Sequence, residues 1–144
     1  MDEDSVEAAM ARLTRWDRRG DGESPEQVRH ALKQAMEDHV GVFREQSLLE
    51  AGVEQVRAVA ERLQSAVLRD HSRVFNTARV EALETENLVA CAQAVAQSAL
   101  ARTESRGAHS RSIIPSATTV AGCATAFISS PATISITSRY VRGR

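Results

Sequence analysis

The chain has 144 residues, carrying 18 basic and 19 acidic side chains for a formal net charge of −1. That length suits one domain and leaves too little chain for two separate cores. Hydrophobic residues make up 42% but aromatic ones only 3%, so Ala, Val and Leu must build the core, which favours closely packed helices over a β-sandwich.

Asp4 or Ser5 is placed to cap a first helix, in which Val6, Met10 and Leu13 recur at helical spacing and lead to Trp16 on nearly the same face. The acidic start is unlike the basic start of a signal peptide, and no run approaches the roughly 18 apolar residues of a membrane span. A soluble, cytoplasmic chain without direct membrane insertion is expected. Gly20 and Gly22 break the first helix, and Ser24, Pro25 and Gln27 then supply an N-cap, a first-turn proline and a capping-box partner for a second.

Val28, Leu32, Ala35, Met36 and Val40 form the apolar stripe of that second helix, with Gly41 as its stop. In the following VGVFR segment, Val42 and Phe43 are expected to anchor in the core. Ser47 and Glu50 suggest a capping box, so a third helix is placed from Leu48 to Leu68 with Leu49, Val53, Val56, Ala60, Leu63 and Val67 inward. Glu54, Arg57, Glu61 and Arg62 then face water, spaced for ion pairs. Asn76 or Thr77 caps a long fourth helix whose expected stripe is Val80, Leu83, Leu88, Cys91, Val95, Ala99 and neighbouring alanines, ending at Gly107, and the two longest helices are expected to pack through small Ala side chains. Residues 1–111 therefore read as an all-α, antiparallel three- to four-helix bundle, followed by an irregular or weakly β tail at 112–144.

Chemistry-bearing patterns are sparse. His30, His39, His71 and His109 show no metal-ligand spacing, and Cys91 and Cys123 form no CxxC pair. Cys91 sits among alanines, where a buried, inert thiol is expected. No GxSxG elbow or glycine-rich phosphate loop occurs. Nucleic-acid binding is disfavoured because residues 1–111 hold 15 basic against 19 acidic groups. The unusual element is RTESRGAHSR, from Arg102 to Arg111. It reads either as a solvated helix end or as an arginine-rich docking turn, since guanidinium forks suit carboxylates and carbonyls.

MEDHVGVFR (Met36 to Arg44), SRVFNT (Ser72 to Thr77), EALETENL (Glu81 to Leu88) and ALARTESRGAHSR (Ala99 to Arg111) closely resemble the C-terminal domain of succinate dehydrogenase and fumarate reductase flavoprotein subunits. The resemblance implies a spectrin-repeat-like bundle packed on a larger FAD-binding domain, within a complex that also has an iron-sulfur subunit. It implies a place in the tricarboxylic acid cycle and electron transport, at the cytoplasmic face of the inner membrane in the parent complex. The family's flavin- and substrate-binding residues match no position here, so no catalytic, cofactor-binding or metal residue is assigned and FAD is expected only in the parent. Arg102, Glu104, Ser105, Arg106, His109 and Arg111 are the interdomain interface candidates that the resemblance implies.

After Arg111 the resemblance stops. Family members continue with an acidic run similar to DYPERDD, whereas this chain has no charged residue between Ser112 and Arg139. Residues Ile113 to Thr119 can be encoded ATT ATC CCG AGC GCG ACG ACG. With a preceding G, the offset reading is GAT TAT CCC GAG CGC GAC GAC, or DYPERDD. A one-base frame shift near Arg111 is therefore expected, leaving residues 112–144 without an assigned function. The expectation is a helical fragment of a succinate dehydrogenase-type flavoprotein, inactive by itself; the alternative is a free-standing helical protein-interaction module.

Overall fold

Helix α1 (Glu3–Thr14) runs into a 3-10 turn at Arg15–Asp17 and then a loop to α2 (Pro25–His39). A two-residue strand, β1 (Phe43–Arg44), precedes α3 (Gln46–Ser65), and α4 (Thr77–Ala101) leads to β2 (Ser110–Arg111), β3 (Ala124–Ser130) and β4 (Thr133–Ser138). The computed structural model describes residues 3–105 and 107–112, with the backbone alone of residues 124–130 and 133–138. The result is mostly helical: four helices pack together beside a small parallel pair, β1 and β2, while β3 and β4 form an antiparallel pair.

The helix directions follow from close approaches. A Cβ on Gly52, early in α3, would lie 2.8 Å from the His39 Cβ at the end of α2, and one on Gly22, just before α2, would lie 2.8 Å from the Ser65 carbonyl oxygen ending α3. Helices α2 and α3 are thus antiparallel. Leu49 of α3 and Val40 cluster with Ala96 and Ala99 of α4, so α4 runs against α3 and along α2. Six of its seven buried residues, Ala82, Thr85, Val89, Ala92, Ala96 and Ala99, alternate three and four apart, a heptad seam whose small side chains admit neighbouring helices closely, and buried Ala94 lies off that seam. Val28, Leu32 and Ala35 face this seam with Val56, Val59 and Leu63, and Trp16 closes the same cluster.

Several local expectations hold. Ser24 and Gln27 form the capping box, the Ser24 N–H donating to Gln27 Oε1 at 2.9 Å and the Gln27 N–H to Ser24 Oγ at 3.3 Å. Asn76 caps α4 by accepting from the Arg79 N–H at 2.7 Å. Arg57 and Glu61 pair one turn apart at 3.7 Å.

Others are corrected. Val80, Leu88 and Val95 of α4 are 55%, 46% and 47% exposed and Cys91 is exposed too: these larger members of the expected stripe face outward, while Leu83 packs on the core and Ala99 and the neighbouring alanines face the crossing as expected. In α1, Val6, Met10 and Leu13 are exposed and no residue is buried. Val42 and Phe43 also face outward, and Val40 provides the core anchor at this turn. Helix α3 starts at Gln46 with Glu45 as an N-cap that makes no side-chain bond, and it ends at Ser65. Helix α4 ends at Ala101. The parallel pairing of β1 with β2 departs from an all-α fold; these two strands satisfy backbone groups of the α2–α3 turn that no helix reaches.

Candidate functional site

The segment after α4 folds back as a strap. The Arg102 N–H bonds the Ser98 carbonyl at 3.2 Å, closing the last turn, and Arg102 Nε donates to Glu104 Oε1 at 2.6 Å. Ser105 Oγ accepts from the Arg111 N–H at 3.0 Å, which closes a loop through Gly107, whose φ of 60° is the left-handed region that glycine enters without Cβ strain. Strand β2 then lies beside β1, with Phe43 opposite Ser110 and Arg44 opposite Arg111. The Ser112 N–H extends the ladder by donating to the Arg44 carbonyl at 3.1 Å.

Two long-range side-chain bonds fasten this strap to the bundle. Arg44 donates through Nε to the Gly41 carbonyl at 3.0 Å and through Nη1 to His109 Nδ1 at 2.5 Å. A guanidinium has no lone pair to offer, so His109 Nδ1 is the acceptor and the ring proton resides on Nε2. Arg111 Nη2 donates to Gln46 Oε1, and Gln46 Nε2 donates in turn to Glu50 Oε1 at 2.7 Å.

The strap is polar yet buried: Glu104, His109 and Arg111 are 7%, 4% and 8% exposed. Burial holds the His109 imidazole below its usual pKa, with the charges of Arg44 and Arg102 acting the same way against the Arg102 backbone and Glu104. For Glu104, burial pushes the carboxyl up, but the Arg102 hydrogen bond, a backbone bond and the charges of Arg102 and His109 together outweigh it and hold the group below the usual range. Buried Glu104 Oε2, His109 Nε2 and Arg111 Nη1 have no hydrogen-bond partner among the described residues. Beside them lies a cleft of about 280 Å³, lined by Arg44, Ser98, Arg102 and His109 on a polar side and Ala94, Val95 and Ala99 on an apolar one.

Of the residues singled out from the sequence, Arg102, Glu104, Ser105, His109 and Arg111 therefore come together; Arg106 lies outside the described residues. Sequence reasoning missed Arg44 and Gln46. Arg44 stood inside the MEDHVGVFR stretch, but nothing local to it signals a bond to a histidine 65 positions away. No group of three potential metal ligands occurs among the described residues.

A second polar node joins α1 to the bundle. Glu86 Oε1 accepts from Trp16 Nε1 at 2.9 Å and from Arg15 Nη1 at 2.8 Å, Glu86 Oε2 accepts from Arg12, and the Arg15 guanidinium lies 4.5 Å above the Trp16 ring. This node orients the start of the chain.

Residues 29–136 match the family model described as the fumarate reductase flavoprotein C-terminus. The chain belongs to this family. The succinate/fumarate flavoprotein C-terminal domain is also evident in individual relatives: the chain is 49% identical over 108 residues to the succinate dehydrogenase flavoprotein subunit of Coxiella burnetii, covering 75% of this chain and 18% of that protein. A fumarate reductase flavoprotein subunit of Mycobacterium tuberculosis is 37% identical over 94 residues, covering 65% of this chain and 16% of that one. The fold is similar to a chain of the Mycobacterium smegmatis Sdh1 complex in the apo form, with a TM-score of 0.80 at 25% identity, over 100% of this chain and 25% of that one. A variant of the E. coli quinol fumarate reductase FrdA gives a TM-score of 0.81 at 28% identity over 95% and 25% of the two chains.

The chain thus spans under a fifth of these two curated relatives. The described residues do not fit the flavin of the parent family. A dinucleotide is held where a parallel strand passes through a glycine turn into a helix, whereas the parallel strands described here are two residues long. No chemical step through FAD is therefore derived for this succinate/fumarate flavoprotein C-terminal domain. No helix among the described residues is long and apolar enough to cross a membrane.

Proposed function

We propose that this chain is the C-terminal helical region of a succinate dehydrogenase-type flavoprotein, a spectrin-repeat-like bundle that packs on an FAD-binding domain and is catalytically silent by itself. The observation that carries this reading is the family match over residues 29–136 in a chain covering only 18% of a clear relative. Hydride transfer between succinate and a flavin requires the isoalloxazine held against the reacting C–C bond, and that task falls to the remainder of the flavoprotein. The strap from Arg102 to Arg111 is the interdomain contact, and the iron-sulfur subunit is the next partner, at the cytoplasmic face of the inner membrane. Exposed Val42, Phe43, Val74, Phe75, Leu88 and Val95 fit a surface that a larger domain covers.

Expression of this chain without any other subunit tests the reading. It should retain no FAD and oxidise no succinate; either activity overturns the silent role. The reading extends to the tail, proposed to be out of frame from residue 112 although the family match reaches residue 136. The nucleotide sequence should restore an acidic run on shifting by one base near Arg111. An unbroken frame, with no flavoprotein coding sequence immediately upstream, instead supports a free-standing interaction module.

A further inference from the structure

We propose that Arg44, held in place by His109, receives a carboxylate side chain of the FAD-binding domain in the cleft between the β1 turn and the end of α4. The inference rests on the docking proposed above and names the chemistry of the contact. Three guanidiniums, Arg44, Arg102 and Arg111, meet one carboxylate, Glu104, which pairs with Arg102. Neither Arg44 nor Arg111 has a carboxylate within ion-pair range among the described residues, and Arg111 is 8% exposed. Partly buried cations without an anion are costly, and the cost is relieved when a partner brings one.

The arrangement favours a carboxylate over a backbone carbonyl. Donation from Arg44 fixes the His109 proton on Nε2, which is buried on the side of the Arg102 backbone, so the ring holds the Arg44 guanidinium from within. The Arg44 guanidinium lines the cleft without an anion of its own among the described residues, and a carboxylate forms stronger, charge-assisted bonds with it than a carbonyl does. The apolar wall of Ala94, Val95 and Ala99 suits the methylene stem of Asp or Glu. His109 is a positioning residue, since its bond to Arg44 orients the guanidinium.

Acetate serves as the side-chain probe on the whole 144-residue chain. Titration at constant ionic strength should shift the His109 ring ¹⁵N and Arg44 Nε resonances saturably, with a dissociation constant on the order of millimolar, where chloride does not. Arg44→Gln should abolish the shift, and Arg57→Gln on the exposed face of α3 should leave it intact. Absence of a saturable shift in the unaltered chain overturns the proposal without any variant having to fold. Succinate should bind within about twofold of acetate, the statistical gain of a second identical carboxylate. Binding of succinate more than tenfold tighter would mark a site for a free dicarboxylate and overturn the side-chain assignment. These outcomes are independent of whether the chain proves silent with respect to FAD.

Discussion

Arg44 Nη1 lies 2.5 Å from His109 Nδ1, joining the turn after α2 to the strap after α4 across 65 positions of sequence. The bond requires a lone pair on the imidazole, so it exists only while His109 is neutral. Its protonation would set a new cation against Arg44 and Arg102.

Acid should therefore loosen the strap in two stages. The His109 pKa is lowered on folding, so the unfolded chain binds its proton more readily, and stability present above about pH 6.5 declines as pH falls through the folded value. Glu104 is likewise lowered from 4.5, so its contribution fades at more acidic pH. Urea midpoints measured from pH 7.5 to 4 should decrease, and His109→Gln should flatten the upper stage. An unchanged upper stage in that variant would show that another group governs it.

Glu86 is the common acceptor for Trp16, Arg15 and Arg12. Glu86→Ala leaves the Trp16 indole N–H, in a residue only 1% exposed, without its acceptor and removes the anion facing two guanidiniums. The expected loss is about 1–3 kcal/mol, read by urea unfolding with tryptophan fluorescence. A loss below about 0.5 kcal/mol would mean that Trp16 is held by packing alone.

Gly52→Ala sets two effects against each other. Alanine improves helix propensity by up to about 1 kcal/mol, but its Cβ would stand 2.8 Å from the His39 Cβ and 3.0 Å from the Val40 Cγ2. Overpacking of this kind costs about 1–3 kcal/mol, and the His39 Cβ cannot swing aside as a side-chain tip could. A net loss of about 1 kcal/mol is expected in calorimetry, and a gain would show that the α2–α3 crossing adjusts freely.

Phe75 has a φ of 53° and is 96% exposed. Its left-handed backbone costs about 1–2 kcal/mol in a non-glycine residue, and it buries nothing within the described chain to offset that. The loop is held by the Asn76 amide, which donates to the carbonyls of Asp70 and Ser72 at 3.0 and 2.9 Å. Phe75→Gly should leave thermal stability unchanged or raise it by up to about 1 kcal/mol; a clear loss would reveal an intramolecular contact of the ring.

Legibility in the sequence followed the range of the forces involved. The Ser24–Gln27 box and the Asn76 cap bond within three residues, so their residue types announce them. The α4 seam was legible in part: packing through alanines holds, but large apolar residues usually mark the buried face, and here the crossing leaves Val80, Leu88 and Val95 outside. Motif resemblance located Arg102, Glu104, His109 and Arg111, but it could not pair them. Arg44 and Gln46 enter the strap only through β1–β2 pairing, a contact between distant segments that periodicity does not encode.

That pairing also orders events in time. Closing a loop between residues 44 and 111 requires most of the chain to be already arranged, whereas each helix and each hairpin of helices forms from near neighbours. The strap should therefore fasten last during folding and be the first part to open under hydrogen exchange, with amide protection at Ser112 and Arg111 lost well before that of Val56 or Val89.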